Sequence, residues 1–326
     1  MRTFNLYLLI IFCTLLFACR KVSTNANTNN NSNHITIATP LTDFGSATYR
    51  GFQGGLYPNS SNQRPPAHNT AGIAIAQTIR PLNTSGAIDA TSGSIVWLSI
   101  GMSNATMETQ AFLSLMQNYP NKNPSLALID GAVGGQDINA INNSSASYWN
   151  TVSNRLTTAG LTATQVQVIW FKEAEVQPTD TAFATYPNAL KMKYKSVMQI
   201  LKSKFPNLKL VYLSSRIYAG YANTNQNPEP YAWYNGWTVK RLIEDQLNGE
   251  ASLNYAGSNP AAAWLSWGPY LWANGSIPRN DGLTWIPSDY QPDGTHPSTT
   301  GRQKVAQMLL TFFSTDETTK SWFLKP

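Results

Sequence analysis

The residues best suited to chemistry in this sequence are Asp293 and His296, within the run Asp293-Gly294-Thr295-His296-Pro297. His296 is one of only three histidines in the chain. A carboxylate three positions before an imidazole, at a loop-to-helix junction, can hold the ring in one tautomer while the ring takes a proton from a hydroxyl. An Asp that merely caps the helix opening at Ser298 to Ala306 would read the same way. The pair therefore needs a hydroxyl placed elsewhere. Ser103 is that candidate. It stands in Gly101-Met102-Ser103-Asn104, between an apolar run and a helical one. A Ser on such a turn carries its hydroxyl above a strand end and its N–H at a helix N-terminus, as a nucleophile requires. Helix capping is the plainer alternative.

Two further segments could complete a site. Asp130-Gly131-Ala132-Val133-Gly134-Gly135-Gln136-Asp137 is rich in glycine, which lets backbone approach a ligand closely and aim N–H groups at it. Trp170-Phe171-Lys172-Glu173-Ala174-Glu175 puts charges at the end of an apolar run, where they meet either solvent or a ligand. Arg216 follows another such run and is expected at the rim of a cleft.

These residues need a common platform. Strands are expected at 94–100, 125–129, 166–171 and 208–213, with a fifth within 262–267. Helices are expected over 106–117, 148–159, 189–205, 237–247 and 305–313. Short apolar runs separated by helices predict an α/β fold, a parallel sheet with helices on both faces. Ligands of such sheets bind beyond the C-terminal strand ends, which is where Ser103, the glycine loop and the charged segment fall. Such an edge, with a Ser, backbone donors and an Asp/His pair, serves acyl transfer from an ester.

At this point the chain resembles the SGNH/GDSL hydrolases, with four motif blocks matching in order from Ile95 to Val305. Gly101-Met102-Ser103-Asn104 is similar to the G-Q-S-N form found in carbohydrate acetylesterases. The closing D-x-x-H matches Asp293 and His296. The resemblance implies a flavodoxin-like three-layer α/β/α sandwich with a five-stranded parallel sheet. It implies Ser103 as nucleophile, His296 as general base and then acid, and Asp293 as orienter. The Ser103 and Gly135 N–H groups would form an oxyanion hole. The third block departs from the family. Where the sialate O-acetylesterase-like branch has W-x-Q-G-E, this chain places Lys172 at the Gln. Lys172 is accordingly expected as a cationic third oxyanion donor, paired with Glu173 or Glu175. Gly134, Asn104, Glu173, Glu175, Arg216 and Trp285 are expected to contact substrate. The aromatic segment from Tyr231 to Trp285 is expected to supply faces for sugar rings.

The N-terminus reads as a targeting segment. Arg2 precedes the apolar run Leu6 to Phe17, and Leu16-Phe17-Ala18-Cys19 resembles a lipobox. Residues 1–19 are expected to be a lipoprotein signal ending at a lipidated Cys19. Residues 20–34, rich in Asn, Ser and Thr, are expected to form a disordered tether, and 35–93 an N-terminal extension packed on a main domain, 94–326. The other cysteine, Cys13, lies in the signal, so no internal disulfide is expected. The formal net charge is +6, but Lys and Arg cluster only at 191–195 and 202–204, on one expected helix, which argues against nucleic acid. No metal spacing or cofactor motif is present. The expectation is a cell-envelope serine esterase, a carbohydrate O-acetylesterase anchored to membrane by lipid only. Its alternative is a non-catalytic glycan-binding lipoprotein of the same fold. Oligomeric state is not written in the sequence.

Overall fold

Five apolar runs, rich in β-branched and aromatic residues, form one parallel sheet. The computed structural model describes residues 38–326, so Cys19 and the expected signal, the 20–34 tether and His34 lie outside the described residues. In chain order the elements are β1 (Thr48–Tyr49), β2 (Phe52–Gln53), α1 (Pro66–Ala76), β3 (Ile95–Gly101), α2 (Ser103–Gln117) and β4 (Leu126–Asp130). There follow α3 (Ile138–Ile141), α4 (Ser147–Thr158), β5 (Val166–Lys172), α5 (Tyr186–Lys204), β6 (Leu210–Leu213) and α6 (Tyr231–Leu247). The last are β7 (Trp264–Trp267), α7 (Thr299–Thr315) and α8 (Lys320–Phe323). The sheet order is β4-β3-β5-β6-β7, every pair parallel. The chain runs outward from β3 to β4 and then crosses back to β5. Order therefore reverses between β3 and β5, and the crevice of such a sheet opens at that switch point.

Because side chains alternate along each strand, the two faces carry separate cores. Trp97, Val168, Trp170, Tyr212 and Trp264 pack with Phe112 of α2 and Leu309 and Phe313 of α7. Leu98, Ile100, Ile169, Phe171 and Leu213 pack with Val152 of α4, Tyr194 and Val197 of α5 and Trp237 of α6. All residues of β3, β5, β6 and β7 are buried, as expected when helices cover both faces.

Residues 38–93 drape over both cores. Leu41, Phe44, Tyr49 and Tyr57 are buried against the α6 side, with Phe44 edge-on to Trp237 at 5.5 Å between centroids. On the other side His68 stacks on Trp264 at 4.7 Å and bonds the Leu265 carbonyl at 2.8 Å.

The helices differ from expectation mainly at their starts. α1 begins at Pro66, where a missing N–H costs nothing. α2 begins at Ser103 instead of Thr106, and α6 at Tyr231 instead of Trp237. The first turns of α6 are aromatic and buried, so an amphipathic pattern could not reveal them. The short α3 was not expected; Asp137 caps it by accepting from the Asn139 and Ala140 N–H groups.

Candidate active site

β3 delivers the Ser through a tight exit. A Cβ on Gly101 would lie 2.2 Å from the Lys172 carbonyl oxygen and 2.6 Å from the Ala105 Cβ, so only glycine lets β3 turn into α2 this closely. Met102 is extended, and Ser103 opens the helix. Its Oγ lies 2.9 Å from His296 Nε2. His296 Nδ1 lies 2.5 Å from Asp293 Oδ2. Asp293 Oδ1 accepts from the Thr295 and His296 N–H groups at 2.9 and 3.0 Å. Partial burial opposes ionisation of Asp293. The bonds from the His296 ring and from the His296 and Thr295 N–H groups outweigh it and hold the carboxyl below the usual range. With Nδ1–H directed at Asp293, Nε2 is free to accept from the Ser hydroxyl.

The loop carrying His296 is tied down on two sides. Gly294, at φ +64°, approaches so closely that a Cβ would sit 1.9 Å from the Tyr221 carbonyl oxygen. The Asn223 N–H donates to the Asp293 carbonyl at 3.1 Å, and the Thr224 and Thr295 hydroxyls meet at 2.8 Å. From α2, Asn104 Nδ2 donates to the Thr295 carbonyl at 3.0 Å. Asn104 is therefore a structural tie and does not present its side chain to substrate.

The glycine loop borders the Ser. Val133 N–H donates to the Gly101 carbonyl at 2.9 Å, which draws the loop over the β3 exit. A Cβ on Gly134 would lie 3.8 Å from Ser103 Cβ. Gly135, at φ +75°, faces open space. Among the described residues the Gly134 and Gly135 N–H groups have no hydrogen-bond partner, which leaves them available to a ligand beside Ser103.

The exit of β5 is arranged differently from expectation. Lys172 continues the face of Val168 and Trp170, beneath α2. Its ammonium lies 2.5 Å from each carboxylate oxygen of Glu108. The expected partners Glu173 and Glu175 are on the other face. Both members of the pair are fully buried, so burial pulls Lys172 down to about 8 against the attraction of Glu108, and pushes Glu108 up. The ammonium expected to serve an oxyanion is thus held by Glu108. The reason is that α2 crosses the β5 exit and lowers an acid onto it. Glu108 shares the helix face of Ala105 and Phe112, and an acid on that apolar spacing was the signal sequence reasoning passed over.

Glu173 is buried, and the Tyr194 hydroxyl of α5 donates to its carbonyl. Its Oε1 accepts the Ala174 N–H at 2.9 Å, while Oε2 has no partner. Burial pushes its carboxyl well above the usual range. Asn235, also missed from sequence, donates to the Glu173 carbonyl at 2.9 Å and accepts the Arg216 N–H at 3.0 Å, joining the β5 and β6 exits. Glu175 pairs with Lys193 at 2.5 Å at the surface.

Three other expectations are corrected. Arg216 lies below the surface and not at a rim: it is 2% exposed, Nη2 reaches the Gln226 carbonyl at 3.4 Å, and Nε has no partner. Trp285 is fully buried, its Nε1 donating to the Leu271 carbonyl at 2.8 Å. The aromatic segment as a whole builds core: Tyr231, Trp233, Tyr234, Trp237, Trp264, Trp267, Tyr270 and Trp272 are all buried and offer no wall to a sugar. The side chains pack there because a helix and a strand, α6 and β7, run through the segment. Among the described residues no cluster of three or more His, Cys, Asp or Glu could hold a metal ion, and no helix is long and apolar enough to cross a membrane.

No family model and no curated protein matches this chain. Among solved structures it is similar to a Bacteroides fragilis protein provisionally described as an acylhydrolase, at 12% identity and TM-score 0.39, covering 76% of this chain and 96% of that one. It is similar to a GDSL-like lipase from Bacteroides thetaiotaomicron at 10% identity and TM-score 0.38, covering 75% and 96% respectively. It is also similar to a Parabacteroides merdae protein provisionally described as a GDSL-like lipase, at 11% identity and TM-score 0.36, covering 67% and 94%. Likeness this distant says nothing of what this chain acts on.

Proposed function

We propose that this protein is a serine ester hydrolase working through an acyl-enzyme. One observation carries the reading: the continuous chain from Ser103 Oγ through the His296 ring to Asp293, at 2.9 and 2.5 Å. His296 takes the Ser103 proton as Oγ attacks the ester carbonyl, and Asp293 stabilises the imidazolium that forms. The oxyanion meets the N–H of Ser103 at the start of α2 and the unpartnered N–H groups of the Gly134-Gly135 turn. The tetrahedral adduct collapses when His296 returns the proton to the leaving alcohol. A water deprotonated by His296 then releases the acid and restores the Ser103 hydroxyl. Lys172 has no part in these steps.

The finer reading, an acetyl ester on carbohydrate, rests on the resemblance of Gly101-Met102-Ser103-Asn104 to carbohydrate acetylesterases; the buried aromatic segment lends it no support. A place at the cell envelope, held by lipid on Cys19, rests on the sequence alone. The non-catalytic glycan binder is disfavoured, because the hydrogen-bonded triad is complete and the aromatic faces a binder would use are buried. Hydrolysis of 4-nitrophenyl acetate, followed by acetate release from acetylated oligosaccharides, tests the reading. Activity lost in Ser103→Ala supports it, and equal rates in wild type and variant defeat it.

A further inference from the structure

Asp293 and His296 form a self-contained unit. The carboxylate binds both the ring and the main chain of His296, so the two move together. That unit lies on no helix or strand, and the reaction requires it at a fixed distance from Ser103. The Asn223 and Thr224 ties join it to the segment after β6, not to the nucleophile. Two side chains of α2 besides Ser103 reach the loop that carries it. Gln291 Nε2 approaches Met107 Sδ at 3.6 Å, a weak contact. Asn104, adjacent to Ser103 and 1% exposed, donates to the carbonyl of Thr295, adjacent to His296, at 3.0 Å. Two pairs of chain neighbours thus close a ring: Ser103 to Asn104, across to Thr295, on to His296, and back to Ser103.

We propose that Asn104 is a positioning residue that holds the Asp293–His296 unit at hydrogen-bond distance from Ser103 by fixing the Thr295 carbonyl to the nucleophile's own helical turn. The inference rests on the esterase reading of that site. The position needs a donor. Leucine has similar size without one, and an ionised aspartate would present negative charge to the carbonyl. Displacing a catalytic group by 1 Å costs about a hundredfold in rate, so a released loop should lower turnover strongly.

The test compares wild type, Asn104→Leu, Asn104→Asp and Thr224→Val on 4-nitrophenyl acetate, with active sites counted by a fluorophosphonate. Both Asn104 variants should lose roughly tenfold to a hundredfold in kcat per active site, with KM much less affected. Fluorophosphonate labelling of Ser103 should slow in proportion. In Asn104→Leu the rising limb of the kcat/KM pH profile should keep its midpoint, because no charge is added or removed beside the triad; Asp293→Asn should move it. Thr224→Val, which cuts a tie that does not reach α2, should lose less than either Asn104 variant. If Asn104→Leu does not fold, the near-isosteric Asn104→Asp still decides. A kcat per active site within about twofold of wild type in either Asn104 variant, or in Asn104→Leu a midpoint displaced as in Asp293→Asn, would overturn the proposal. Unchanged turnover in Ser103→Ala would instead overturn the esterase reading.

Discussion

Two acid–base pairs lie at the same edge of the sheet, both against α2, both at 2.5 Å. The His296–Asp293 pair meets the first turn, where Ser103 sits; its side chains are 18% and 30% exposed. The Lys172–Glu108 pair meets the second turn and is 1% and 0% exposed. The first pair can exchange protons with a reactant and with water. The second is sealed, and any change of its charge must be met inside the protein, where an unpaired ion is costly. Composition and spacing alone do not separate a working pair from a structural one; the depth of each along the same helix does.

The difference can be broken from either side. Removing the open pair should cost activity and little stability. Ser103→Ala or His296→Ala should lower ester turnover by roughly a thousandfold or more, the scale of losing a triad member. Their thermal midpoints should stay near that of wild type, which calorimetry checks. Removing half of the sealed pair should do the reverse. Lys172→Met leaves Glu108 buried and unpaired and should destabilise by about 3–5 kcal/mol in denaturant unfolding. The double change Lys172→Met with Glu108→Leu should restore most of that loss, since apolar replacement of a buried ion pair is often neutral or stabilising. A single variant as stable as wild type would mean the pair is not sealed.

The smallest expected effect concerns Glu173, whose carboxyl burial raises well above 4.5. The folded protein then keeps a proton that the unfolded chain releases. The stability this gives is complete below the unfolded value of 4.5 and is lost as pH rises toward the folded value. Glu173→Gln, which cannot ionise, should therefore gain stability relative to wild type as pH rises above the unfolded value of 4.5. Parallel stability profiles for the two proteins would contradict this.

The sheet was legible because its central strands are buried on both faces and read as nearly continuous apolar runs, from Ile95 to Ile100 broken by Ser99 and from Val166 to Phe171 broken by Gln167. The Asp293, His296 and Ser103 grouping was legible for a different reason: parallel topology places every strand exit at one edge, so residues remote in sequence had a reason to meet. The partner of Lys172 was not legible. It depends on where α2 crosses β5, and alternation within β5 says only which face Lys172 takes. Nor was the fate of Trp285 and its neighbours. An aromatic ring suits a core as well as a cleft, and only packing decides between them: Trp272 lies against Trp233 of α6, and Trp285 against Tyr290 and Lys304.

The central claim is that Ser103 is a nucleophile made reactive by His296. Intact mass and peptide mapping after incubation with a fluorophosphonate test it most directly. The account predicts a single adduct on Ser103 that forms rapidly in wild type, slowly in His296→Ala and not at all in Ser103→Ala. No adduct on Ser103, or one that forms equally fast without His296, would contradict it.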